Sequence, residues 1–157
     1  MEHADLLSGA RYLIDRHTGK PKQADLKRAH SAIYYALFHV LAKNCADMLI
    51  GGKGADRSPA AWRQTYRALD HGAAKSQCDA TQVMILFPKN VQDFGNAFRS
   101  MQSKRHAADY DPLHRLTKSE VLNDLLTAKA VITDFLKVPP KDRRAFAAWV
   151  IFKKPRS

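Results

Sequence analysis

Cysteine is scarce in this chain. Cys45 and Cys78 are the only two in 157 residues, too few and too isolated for a disulfide framework. Cys45 lies in an apolar run and reads as a small core residue. Long hydrophobic stretches are missing as well. No run approaches the roughly 18 apolar residues of a membrane span. The opening, MEHADLLSGARYLIDRH, lacks the apolar stretch and the small-residue cleavage site of a secretory signal. A soluble protein in the cytoplasm, without a membrane partner, is the expectation. Chemical motifs are few too. The seven histidines show no His-Glu-x-x-His spacing and no paired Cys-x-x-Cys accompanies them, so neither a metal nor a cofactor is expected. Gly51-Gly52-Lys53-Gly54 lacks the rest of a phosphate-cradling loop, and no Gly-x-Ser-x-Gly elbow occurs. Glycine and proline, seven each, gather between periodic segments.

Positive charge is abundant. Lys and Arg number 26 against 15 Asp and Glu, a net charge of +11. Such a field attracts polyanions and speeds their encounter. Nucleic acid is the commonest polyanion, ahead of an anionic membrane or an acidic protein. With 45% apolar residues, the chain can still bury one core.

Helical periodicity runs through every long segment, and no second domain, repeat or low-complexity tract is visible. Residues 2–17 read as a first helix with Leu6, Ala10 and Leu13 on its buried face. Residues 23–50 form the longest pattern. Its middle, from Ala32 to Ala42, is apolar nearly all round and is expected at the centre of the fold. Ser58 as N-cap and Pro59 at the first position open a third helix, striped by Trp62, Tyr66, Leu69 and Ala73. Residues 76–88 are read as a packed loop in preference to a short strand. The fourth helix runs from about Lys89 to Ala108, with Val91, Phe94, Phe98 and Met101 inward. Thr117-Lys118-Ser119-Glu120 has the form of a capping box before a fifth helix striped by Val121, Leu125, Ala128, Ile132 and Phe135. After Pro139-Pro140 a shorter helix spans Asp142 to Phe152, and the basic tail 153–157 is expected to fray. The fold expected is an all-α, up-and-down bundle of five main helices plus a short C-terminal one. It is a single domain over 1–157, with 139–157 as a helical extension and basic tail.

The fourth helix carries the most unusual segment, from Phe98 to Pro112. Arg99 and His106 are seven apart, so on a helix they lie within about 20° of each other, with Gln102 between them. Arginine and histidine suit metal-free phosphodiester chemistry. An imidazole can move a proton to or from a ribose hydroxyl, and a guanidinium can hold a phosphate and stabilise charge developing on it. One such pair is thin for a reaction that needs both an acid and a base. A two-fold homodimer would supply two. Arg99 and His106 are thus the candidate catalytic residues, and Gln102, Arg105 and Tyr110 the candidate substrate contacts. The plainer alternative makes Arg99 and His106 solvated helix residues, and for Arg105 and Asp109 a structural role, a partly buried ion pair fixing the helix end and Tyr110, is preferred. Lys104, on a different face, is expected to matter little. On the second helix, His30, Tyr34, Tyr35 and His39 are most simply packing residues.

Arg28-Ala-His-Ser-Ala-Ile-Tyr-Tyr-Ala-Leu-Phe-His39 resembles the second-helix signature of bacterial HEPN domains, and Arg105-His-Ala-Ala-Asp-Tyr110 resembles the Arg-x-x-Ala-Asp-Tyr run that such domains carry later. The resemblance covers roughly residues 5–137. It implies a helical bundle, usually a homodimer. Many HEPN proteins resemble metal-independent endoribonucleases built on Arg, four to six residues, then His. Arg99 and His106 enclose six residues. Ser100 stands where the family arginine is often followed by Asn, Asp or His, and Ala108 where some toxin members carry tyrosine. The function implied is an RNA-acting homodimer, with endoribonuclease activity of toxin type and a cognate antitoxin protein as a candidate partner. The alternative is a non-catalytic HEPN module that binds nucleotide, RNA or a partner protein. In non-catalytic branches the residue matching Arg105 is structural.

Overall fold

The computed structural model describes residues 2–152; the basic tail 153–157 lies outside them. Among the described residues there are eight helices: α1 (His3–Asp15), α2 (Gln23–Leu49), α3 (Pro59–Ala68), α4 (His71–Asp79), α5 (Thr81–Met84), α6 (Lys89–Tyr110), α7 (Lys118–Phe135) and α8 (Pro140–Ile151). The all-α bundle is as expected. The count of five main helices plus a short C-terminal one is not.

The difference arises between residues 58 and 88. Ser58 does cap a helix, accepting from the Ala61 N–H, with Pro59 at its start. That helix stops at Ala68. Leu69 and Asp70 turn extended, and the Asp70 carboxylate accepts from the Ala73 N–H to begin α4. The stripe from Trp62 to Ala73 therefore crosses a break and joins two helices. A side-chain cap inside a periodic run overrides the periodicity, because it satisfies the free N–H groups of a new helix start. The segment read as a loop is the end of α4 followed by the single turn of α5, anchored by buried Cys78 and Met84.

α2 is the axis. At 27 residues it is about 40 Å long, and it packs against α1, α3, α6, α7 and α8. Ile33, Tyr34, Ala36, Leu37, Leu41 and Ala42 are all fully buried, as an all-round apolar helix requires. Gly51, at φ +147°, releases the chain from the end of α2 in a conformation that L side chains rarely adopt. α1 turns a slightly different face inward than its first apolar set suggests. Leu7, Ala10 and Ile14 are buried, while Leu6 and Leu13 are only partly covered at the margin. Both sets have helical spacing, and contact with α2 and α7 selects between them.

The capping box at Thr117 is present in full: Thr117 accepts from the Glu120 N–H and Glu120 reaches back to the Thr117 N–H. α8 lies against α2 and α4. Its Phe146 is fully buried and meets Phe94 and Phe135, which stack on each other at 4.5 Å. No described helix is long and apolar enough to cross a membrane.

The pairing of α4 with α6 positions the site. At Gly95 a Cβ would come within 2.6 Å of the Met84 methyl and 3.6 Å of the Cys78 sulfur, so the bare backbone allows the α4–α5 segment to approach this closely. From there α4 runs back along α6. Asp79 lies beside Arg99, and Lys75 shares a cleft with Gln102 and His106.

Candidate functional site

α6 buries Val91, Phe94, Ala97, Phe98 and Met101 toward α2 and α7. Its other side carries the polar sequence that stood out, and α4 forms the facing wall. Between them lies a cleft of about 390 Å³ lined by Lys75, Gln102, Ser103, Arg105, His106, Asp109 and Tyr110. Four of the five residues singled out from the sequence, Gln102, Arg105, His106 and Tyr110, therefore meet here. Tyr110 is 75% exposed, and the His106 ring sits 4.6 Å from its ring.

Two polar atoms in the cleft are closed off from solvent without a hydrogen-bond partner among the described residues: Gln102 Oε1 and Arg105 Nε. Arg105 Nε does lie 3.3 Å from Asp109 Oδ2. That spacing gives charge attraction, but the donor is not aligned for a hydrogen bond. Buried polar groups are rarely left so, and binding sites are one place where they are.

Arg99 is not among the cleft residues. Its Nε donates to Asn96 Oδ1 at 3.2 Å, one guanidinium nitrogen is 3.6 Å from Asp79 Oδ1, and it borders the neighbouring groove between α6 and α7. Helical rise separates Arg99 from His106 by about 10 Å along the axis.

Behind the cleft, Arg105 joins the two sequence runs that stood out. Its guanidinium lies 5.2 Å from the Tyr34 ring centre and 4.9 Å from that of Tyr35, cation–π contacts worth about 0.5–2 kcal/mol each. Tyr34 stacks on Phe98 at 5.6 Å and its hydroxyl meets His71 Nδ1 at 2.5 Å. Burial pushes the Tyr34 hydroxyl well above the ordinary tyrosine range, with Arg105 opposing. Burial, reinforced by Arg105, lowers His71 below the ordinary histidine value. His39 contacts the Tyr66 hydroxyl through Nδ1 and is likewise lowered by burial.

His71, Lys75 and Asp79 were missed by sequence reasoning. They recur every fourth residue, so they share one face of α4, but that face was legible only once Asp70 was taken as a cap. Lys75 and Asp79 form a 3.0 Å ion pair along it.

A second polar cluster sits on the opposite flank. Asp124 is buried, accepts from Lys104 Nζ at 2.9 Å, and lies 3.5 Å from Nδ1 of the fully buried His30. Burial lowers His30 below its ordinary value, with Asp124 pulling the other way. Lys104 is therefore not a bystander: it is the direct counter-charge of a carboxylate inside the bundle.

Both thiols are buried, and burial pushes each up to about 12, which leaves them protonated and inert near neutral pH. Among the described residues no three His, Cys, Asp or Glu side chains are grouped as metal ligands would be. Comparison with known proteins returned no matching family model, no similar curated protein and no similar solved structure.

Proposed function

We propose that this chain is an RNA-acting protein of the HEPN kind that works as a homodimer and contacts RNA through the α4–α6 cleft. One observation carries this: the cleft gathers Lys75, Arg105, His106 and the open ring of Tyr110 on a chain of net charge +11. Cations beside an exposed aromatic ring are what a single strand requires, with the cations facing phosphates and the ring stacking on a base.

Two versions of this activity are distinguished by specific residues. An exposed His106 beside a substrate cleft favours metal-independent cleavage. The ribose 2′-oxygen would attack phosphorus while an imidazole takes its proton. The 5′-oxygen would leave with a proton from a second acid, giving a 2′,3′-cyclic phosphate. One chain brings a single histidine into the cleft, and a two-fold mate supplies the second. Arg99, one groove away, would have to leave Asp79 and swing toward the cleft to stabilise the charged phosphorane. The hold of Asp79 on Arg99 favours instead a non-catalytic module that binds RNA, nucleotide or a protein partner, a cognate antitoxin among them.

The test is incubation of purified protein with single-stranded RNA, with and without EDTA, beside a His106→Ala variant. Cleavage that EDTA leaves unchanged and His106→Ala removes supports the nuclease version. Binding without cleavage supports the RNA-binding module, and no interaction at low salt rejects the RNA reading in both versions.

A further inference from the structure

His71 opens α4 one turn before Lys75, which lines the cleft. Its ring is held in plane by aromatic neighbours and through Nδ1 by Tyr34. Phe38 stacks on one face at 3.9 Å and 10°, and Tyr35 meets it edge-on at 5.9 Å. Nδ1 faces the Tyr34 hydroxyl at 2.5 Å. Tyr34 is fully buried and its hydroxyl has no other partner among the described residues. A buried O–H left without an acceptor is costly, so Tyr34 donates and Nδ1 accepts. The remaining proton then resides on Nε2. That nitrogen has no partner among the described residues, and it is not among the side-chain atoms closed off from solvent.

We propose that His71 is a second ligand-binding group on this face: a neutral imidazole, held in one tautomer by Tyr34, whose Nε2–H donates to a phosphoryl oxygen of a strand lying along α4 and α6. The inference rests on the RNA reading above for the source of that phosphate. Lys75, one turn along α4, and Arg105, on the facing helix, supply the positive surroundings that select an oxyanion over a neutral acceptor. A neutral donor also differs from a proton-transfer histidine. Adding a proton to Nδ1 would set two donors against each other or strand the Tyr34 hydroxyl in the core. The charged groups around the ring act in the same sense on balance. Arg105 from α6 and His39 from α2 disfavour the imidazolium, as burial does, and only Asp70, in the turn before α4, favours it. His71 thus stays a neutral donor, whereas His106 is the group to which the nuclease version assigns proton transfer.

Imidazole-nitrogen NMR of the full chain tests this, with single-stranded RNA and inorganic phosphate as separate probes. His71 is expected as the Nε2–H tautomer from pH 6 to 8, and its Nε2 signal is expected to move on adding RNA. His71→Ala should weaken RNA binding about tenfold, and His71→Gln, whose amide N–H reaches nearly as far as Nε2, should recover much of the loss. Tyr34→Phe should release the lock, so that the Nδ1–H tautomer of His71 becomes populated. An Nδ1–H tautomer in the parent overturns the proposal. So does RNA that binds without moving the His71 signal and with unchanged affinity in His71→Ala; the RNA reading then stands alone. If RNA fails to bind but phosphate moves the Nε2 signal, the oxyanion site stands and the RNA reading falls. If neither probe moves it, the proposal is wrong.

Discussion

Lys104 shows how far a single side chain's meaning depends on what lies across from it. By helical angle it belongs to a face remote from the cleft, and a control substitution there looks harmless. Its ammonium in fact holds Asp124, 3% exposed, at 2.9 Å. Lys104→Ala should cost about 1–3 kcal/mol of stability, because it leaves a buried carboxylate short of a partner. Urea denaturation reads this directly, and an unchanged midpoint would contradict it. His106→Ala should instead leave stability alone and, on the nuclease version, lower cleavage by about 10²–10⁴-fold. His30 gives a pH prediction. Its folded value is lowered by burial, so below about pH 6.5 the unfolded chain binds the proton more readily than the folded one. Stability is full above that point and falls as pH drops from it toward the lowered folded value. Denaturation midpoints at pH 5 and 7.5 should differ in that sense, and the slope should be shallower in His30→Gln, with His39 and His71 supplying the remainder. At this scale the sequence was informative for α6, because four of its singled-out residues follow one helix face. It was silent on His30–Asp124 and Tyr34–His71, whose partners lie 94 and 37 positions apart and meet only through packing.

Among elements, α4 is the decisive one, and it hangs on Asp70. Asp70→Ala removes the bond to the Ala73 N–H and should cost about 0.5–2 kcal/mol. It should also loosen the His71 and Lys75 wall, seen as faster amide exchange through residues 71–79 than in the parent. Exchange unchanged there would mean that tertiary contacts alone hold α4. Helices that carry a strong local signal were legible in advance: α3 by Ser58-Pro59 and α7 by its capping box at their starts, α2 by its all-round apolar centre. The α3–α4 break was not, because Leu69 and Ala73 continue a helical stripe across it and Asp70 looks like any exposed acid within a helix. The choice of inward face on α1 was likewise open, since two overlapping apolar sets have the same period and only the neighbours α2 and α7 decide.

For the whole molecule, the all-α architecture could be read from periodicity alone, while the cleft could not, since it depends on α4 lying back along α6. Pairing of two chains is required if two histidines are to act together. The parent should scatter light as a dimer at micromolar concentration, and a monomer there would remove the two-fold version of cleavage. Charge is the other global property. The surplus of +11 has functional meaning only if some of it faces phosphates, and such contacts carry a salt signature. For single strands, log affinity falls with log salt at a slope of about −0.7 per phosphate neutralised. Three contacts would give a loss of roughly 20-fold between 50 and 200 mM salt. Titration of one single-stranded RNA oligonucleotide at those two salt concentrations is the most direct test: the cleft as an RNA contact predicts a loss near that size, reduced in Lys75→Ala, whereas equal affinity at both salts, or no binding at either, would contradict it.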